Sequence, residues 1–424
     1  MPPLNRFRFA IPGMGAVRTM AMLALIATTV GSCACLPTEQ PERQVPLGGL
    51  FSLTGNWSTL GQNSKAAMEI AVEDVNKYLA GNAAGVRFTT DIEDTRLNPA
   101  LALEKAKMLQ AHGVQILIGP QSSAEVAYLK SFVDENGLLL VSPSSTAGAL
   151  AIPGDNIFRF TPADSVEGVA VSSLMWDDGI RTVIPVWRDD AGNAGLVTAT
   201  RAHFTTLGGT ALEGVRYGAD TKDFSPIITQ IRKQVEQAIG QQGRAHVGVY
   251  LAAFDEAGSL FMNIHDDPVL GSVRWYGSDG VALSESMLRN PQAVAFAVRT
   301  GYPNPIFGLD EGARDIWEPI VQRIRARTHL EPDAFALAVY DAVWVVARGY
   351  IASGAPRDIG KLKQAIRTAA ASGYGATGWM VLNDAGDRRY GDFDFWAIRL
   401  EKGGPQWVRI AQYATRTGRI TRFH

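Results

Sequence analysis

Two runs of small hydroxyl residues stand where apolar stretches end. In Gln115-Ile116-Leu117-Ile118-Gly119-Pro120-Gln121-Ser122-Ser123 an apolar run stops at Gly-Pro, and a helical pattern (Val126, Leu129, Phe132, Val133) follows the serines. In Leu140-Val141-Ser142-Pro143-Ser144-Ser145-Thr146 a second apolar run ends the same way. A strand that feeds a helix through a small polar turn leaves backbone N–H groups and hydroxyls free at the helix N-terminus, where a carboxylate fits. A serine before a helix is also an ordinary cap, so one such turn says little. Two turns on adjoining strand units can converge on one point. The expectation is a carboxylate site at the two serines of the first turn, Ser122 and Ser123.

Other chemistries lack their residues. There is no Gly-x-Ser-x-Gly elbow, no Gly-x-x-x-x-Gly-Lys loop and no histidine pair at ligand spacing on a helix. His265-Asp266-Asp267 closes a predicted helix before Pro268 and reads as a solvated turn; Asp91, Glu93 and Asp94 read as a solvated strand edge. No enzyme, cofactor or metal is expected. The chain has 424 residues, 46% hydrophobic and 19% charged, with net charge −2, so nothing calls for nucleic acid.

The N-terminal segment reads as an address. Arg6, Arg8 and Arg18 precede a short apolar core from Met20, and Val30-Gly31-Ser32-Cys33 closes it with small residues ahead of a cysteine. Basic, apolar, small is the order of a secretory signal, and the core is too short to span a bilayer. The ending resembles a bacterial lipobox. The expectation is a signal peptide over 1–32, Cys33 as the lipidated first residue of a mature protein in the periplasm or cell envelope, and a tether over 33–45. Losing the three arginines of that segment takes the net charge from −2 to −5. Cys33 and Cys35 are the two cysteines, so the folded part has no disulfide. No later run is expected to reach the roughly 18 apolar residues of a span.

These residues need a scaffold, and the pattern supplies one. Strands over 45–51, 86–92, 114–118 and 138–141 alternate with helices, and short connections imply a parallel sheet covered on both faces. The alternation restarts after Phe160-Thr161-Pro162, with strands over 182–187, 211–217, 245–251 and 273–277 and a return strand over 293–300. Helices over 311–327, 333–352 and 358–371 precede an antiparallel end. The expected fold is α/β, two doubly wound parallel-sheet lobes joined by three crossovers near 162, 300 and 380. Lobe 1 would take 46–163 with 302–379, and lobe 2 would take 164–301 with 380–424. A solute belongs between them, outside the C-terminal strand ends.

Leu50-Phe51-Ser52-Leu53-Thr54-Gly55, the two hydroxyl turns, Phe158-Arg159-Phe160-Thr161-Pro162-Ala163-Asp164 and Lys222-Asp223-Phe224-Ser225-Pro226 occur in that order. The ordered set resembles the type I periplasmic binding proteins, in particular the leucine/isoleucine/valine-binding branch that serves ABC importers, over roughly 46–400. The resemblance implies a small-molecule solute such as an amino acid, an ABC permease as partner, and a membrane contact through the lipid alone. It implies Ser123 at the solute carboxylate, Ser144 and Thr146 giving a carbonyl to the ammonium and a hydroxyl to the solute, and Asp164 as the acid of the first crossover. It implies Asp279 against the ammonium, Phe254 and Phe335 as aromatics near the pocket, and Leu60 where the branch often has an aromatic, with Trp57 nearby as its replacement.

One departure stands out. After the second-lobe strand the branch usually shows an acid, a small residue, Tyr or Trp, then Gly; Arg188-Asp189-Asp190-Ala191-Gly192-Asn193 has no aromatic there. Arg188 and Asp189 are then candidates to present charge to the solute, and a branched side chain is not specified. The alternatives to transport on this fold are a ligand sensor and an envelope-protein-binding lipoprotein.

Overall fold

The structure is a computed structural model that describes residues 42–82, 84–354 and 358–423. The signal segment, Cys33 and most of the tether lie outside the described residues. The tether's last residues do not: Arg43 to Val45 already pair with the next strand, so the first strand begins two residues earlier than the sequence suggests.

Strand β1 (Arg43–Phe51), helix α1 (Ser58–Gly81), β2 (Val86–Asp94), α2 (Pro99–Ala111), β3 (Ile116–Ile118), α3 (Ser123–Glu135), β4 (Leu139–Ser142) and β5 (Ile157–Arg159) build the first lobe. Its strands are all parallel in the order β2-β1-β3-β4-β5. Side chains of the central strands are apolar on both faces because helices cover both, whereas the edge strand β2 is mostly polar. The order reverses between β1 and β3, which opens a crevice at their C-terminal ends, where Ser52 and the first hydroxyl turn stand. Helix α1 sits tightly over that end. A Cβ on Gly61 would fall 1.7 Å from the Ser52 carbonyl oxygen, so Gly61 admits no side chain. Gly61→Ala is expected to cost at least about 3 kcal/mol in a urea unfolding curve, because the obstacle is backbone that cannot swing away.

The second lobe repeats the plan. It comprises α4 (Asp164–Asp177), β6 (Thr182–Arg188), α5 (Ala191–Thr206), β7 (Thr210–Ala211), β8 (Val215–Tyr217), α6 (Ser225–Gln242), β9 (Val247–Ala252), α7 (Ala257–Ile264), β10 (Arg274–Tyr276), α8 (Glu285–Leu288) and α9 (Pro291–Thr300). Strand order is β10-β9-β6-β7, with β8 also on β6, all parallel. The reversal falls between β6 and β9, whose ends carry Arg188 and Phe254. The strand expected over 211–217 is two short pieces, because Gly214 turns there with φ 79 against the Pro185 carbonyl. The return strand expected over 293–300 is helix α9. Asn290 caps it through Gln292 and Ala293 N–H, and Pro291 opens it.

The return strand is β11 (Asn304–Phe307). Helices α10 (Arg314–Thr328), α11 (Ala334–Ala352) and α12 (Ile359–Ala371) follow, then the short pair β12 (Tyr374–Gly375) and β13 (Gly378–Trp379). The chain ends in β14 (Phe393–Glu401), β15 (Gly404–Ala414) and β16 (Arg419–Arg422), antiparallel with β11 at one edge. Side chains of α10, α11 and α12 join the first lobe's core, whereas Phe393, Phe395, Ala411 and Tyr413 join α4 in the second. Helix α11 corrects one expectation: at 19 residues and mean hydropathy 1.4 it is long and apolar enough to cross a membrane. It is 83% buried against α1, which is where a helix apolar all round belongs in a folded lobe.

Candidate solute-binding cleft

Ser122 and Ser123 divide the work at the start of α3. Ser122 is the N-cap: its hydroxyl donates to Glu125 Oε2 (2.6 Å) and accepts from the Glu125 N–H, and Glu125 in turn accepts the Ser122 N–H, a full capping box. Its hydroxyl is therefore committed to the helix and not to a solute. Ser123 is the residue that joins the two turns. Its Oγ lies 3.0 Å from Ser145 Oγ and accepts the N–H groups of Thr146 (3.2 Å) and Ala147 (3.1 Å). The second turn is fixed to the first by Ser142, which donates to the Pro120 carbonyl (2.6 Å), and by Ser144, which donates to the Gln121 carbonyl (3.0 Å). Ser123, Ser144 and Thr146 are all buried.

The second lobe brings its own helix start to the same place. A Cβ on Gly192, in the first turn of α5, would lie 3.7 Å from Ser123 Oγ. Asp190 caps α5 by accepting the Asn193 N–H (3.0 Å). The absent aromatic thus has a structural result: backbone of α5, not a ring, backs onto Ser123. Three residues beyond Gly192, Gly195 leaves room for Asp164, whose Oδ2 would be 2.1 Å from a Cβ there.

Arg188 does not present a free charge. Its Nε lies 3.0 Å from Asp190, its Nη1 3.8 Å from Glu256, and its guanidinium covers the Phe254 ring at 5.0 Å. Asp189 faces outward toward Arg216. Arg188 and Phe254 together form the wall that the sequence motif leaves open. Phe254 meets Trp57 at 4.8 Å between centroids, and Trp57 meets Phe335 edge-on at 6.4 Å. Leu60, Leu97, Ala282 and Ile306 complete this apolar cluster. Trp57 has a left-handed backbone (φ 62), and its N–H donates across the cleft to Asp255 Oδ2 (2.8 Å). Asn56 reaches Glu256 (3.0 Å) and the Glu285 N–H reaches Thr59 (3.2 Å), so three bonds bridge the lobes at the mouth.

Acids gather at the deep end. Asp164 opens α4 and is pushed up to about 7 by burial, with the Thr146 hydroxyl and the Arg159 charge pulling the other way. Asp279, after β10, is pushed up to about 8 by burial and then by Asp164. Glu167, which sequence reasoning missed, is fully buried and accepts the Asp279 N–H (3.2 Å); burial first, then Asp279 and Asp164, hold it well above the carboxylate range. Asp333, the cap of α11, is raised to about 6 by burial. Glu167 had a signal: it lies on the face of α4 that also holds Ala170, Val171 and Leu174, all buried.

These shifts set a pH dependence. A carboxyl that holds its proton more tightly folded than unfolded stabilises the fold fully below its unfolded pKa, near 4, and loses that contribution as pH rises through the folded value. Asp164 and Asp279 therefore withdraw stability between about pH 4 and pH 8 when no solute is bound. Thermal melts of the solute-free protein should fall over the upper part of that window. Asp279→Asn should flatten the fall; an equally steep fall in that variant would reject the assignment.

The sequence matches the periplasmic binding protein family over residues 44–404. An uncharacterised protein of Methanocaldococcus jannaschii is 30% identical over 397 residues, 89% of this chain and 92% of that one. The Leu/Ile/Val-binding protein BraC3 of Rhizobium johnstonii is 24% identical over 373 residues, 87% of this chain and 95% of its own. Among solved structures, the leucine-binding protein LivK of Thermotoga maritima superposes with a TM-score of 0.70 at 20% identity, covering 86% of this chain and 97% of that one. Members of the family bind solutes outside the cytoplasm and are not enzymes. The chain belongs to the type I periplasmic binding protein family.

Proposed function

We propose that the protein is an extracytoplasmic lipoprotein that captures an amino acid, or a related small carboxylate or amide, between its lobes and hands it to an ABC permease. The observation that carries this reading is Ser123, whose hydroxyl joins both first-lobe turns while the N-terminus of α5 faces it from the second lobe. In this reading the carboxylate lies at Ser123 and Thr146, and the ammonium lies at Asp279. The side chain packs on Trp57, Leu60, Phe254 and Phe335. Ser144 positions the turn, Asp164 holds Thr146 at the crossover, and Arg188 acts as wall. Closure is what the permease reads. Lobe 1 comprises 46–163 with 302–379, lobe 2 comprises 164–301 with 380–424, and Cys33 carries the lipid. The named binding proteins among the relatives support the amino-acid class.

Isothermal titration of the solute-free protein with the twenty amino acids and simple amides tests the reading. At least one should bind at micromolar concentration; binding by none would reject it. Cys33→Ala should release the protein from membranes without altering that affinity.

A further inference from the structure

The deep end of the cleft holds more negative charge than one ammonium can match. Asp164, Glu167 and Asp279 are 2%, 0% and 6% exposed. Glu167 Oε1 accepts the Asp279 N–H, but Oε2 is enclosed without a hydrogen-bond partner. The oxygens of Asp164 and the Tyr250 hydroxyl likewise make no hydrogen bond of good geometry, with Thr146 and Thr200 as their polar neighbours.

The charges that surround this trio do not balance it. Arg159 faces Asp164, but its guanidinium holds Asp387 through two bonds. Arg188 is matched by Asp190 and Glu256. Asp190, at the start of α5, and Asp333, at the start of α11, add negative charge from two further elements. Burial and mutual repulsion keep protons on the trio when the cleft holds no cation. A metal ion does not suit the arrangement: among the described residues, no three of His, Cys, Asp and Glu stand close enough to share one. What suits it is an organic cation with N–H groups pointing in more than one direction.

We infer that the solute's cationic end carries a second amino group or a delocalised guanidinium, and that Glu167 is the residue that selects it. This rests on the solute reading above, with the carboxylate at Ser123 and the first cationic nitrogen at Asp279. The added N–H donors reach the unsatisfied Glu167 oxygen, which a simple α-ammonium leaves alone. An acid with a charged, forked donor forms a stronger bond than a neutral pair does.

Two matched pairs of probes test this by titration calorimetry at neutral pH: 2-aminobutyrate against 2,4-diaminobutyrate, and glycine against guanidinoacetate, with leucine as reference. Within at least one pair the member with the added N–H donors should bind about tenfold or more tightly, the size of one added charge-assisted hydrogen bond. Glu167→Gln keeps the acceptor for the Asp279 N–H and should reduce that ratio to near one. Equal affinities within both pairs, or tighter binding of leucine than of both 2,4-diaminobutyrate and guanidinoacetate, would overturn the inference while leaving the amino-acid reading intact. A preference unaltered in Glu167→Gln would remove Glu167 from the role. Binding of none of the five would overturn this inference, and the amino-acid reading falls with it only if the twenty amino acids and simple amides fail to bind as well.

Discussion

Asp387→Ala should lower the stability of the folded chain by about 3–5 kcal/mol, the usual cost of stripping one partner from a buried ion pair. Arg159 and Asp387 are 1% and 2% exposed, and they meet through Nε to Oδ1 at 2.6 Å and Nη2 to Oδ2 at 2.7 Å. The mutation leaves a buried guanidinium with Asp164 as its remaining acidic neighbour. A double variant, Arg159→Met with Asp387→Leu, removes both charges and should recover most of the loss, since apolar replacements of such pairs are often neutral. Urea unfolding of the three proteins decides it; a loss below about 1 kcal/mol in the single variant would show the pair to be solvated after all. The same substitution should also weaken solute binding. Arg159 Nη1 donates to the Ala147 carbonyl (2.6 Å), and the Ala147 N–H donates to Ser123. The segment near 387 is thereby tied to the carboxylate turn through one side chain.

The double variant Ser123→Ala, Thr146→Ala should weaken solute binding by about 2–4 kcal/mol, on the basis of one to two for each charge-assisted bond. Loss of Ser123 Oγ takes away the acceptor of the Thr146 and Ala147 N–H groups. The second turn then has only Ser142 and Ser144 to hold it. The effect should exceed that of Ser122→Ala, whose hydroxyl serves the capping box and whose loss should appear as about 1 kcal/mol of stability with affinity retained. Titration calorimetry with whichever amino acid binds gives the answer, and unchanged affinity in the double variant would move the carboxylate elsewhere.

Much of the fold was open to reading because its signals were local. Many of the parallel strands are short apolar runs, and several helix starts carry a side-chain cap, as at Asn98, Asp190 and Asp333. The misreading over 293–300 came from a run too uniformly apolar for periodicity to decide, although Asn290-Pro291 marked a helix start. The short strands β7 and β8 were merged because Gly214 was not taken as a break. At the site, the hydroxyl turns were legible since hydroxyls after an apolar run have few structural uses. Glu167 was not, because a single acid in a helix reads as surface until the packing of α4 is known. The left-handed backbone of Trp57 and its bond to Asp255 depend on contacts about 200 residues apart, which no local pattern carries.

The facing of α3 and α5 across the cleft has a consequence for selectivity in time as well as in affinity. Each helix brings about half a positive charge at its start, and the two starts oppose each other at Ser123 and Gly192. A few residues away the buried carboxyls oppose one another with the other sign. Shutting the lobes on water alone compresses both like-charged contacts at once. In the proposed reading an anion relieves one and a cation relieves the other, so the two charges would have to arrive on one molecule before closing runs downhill.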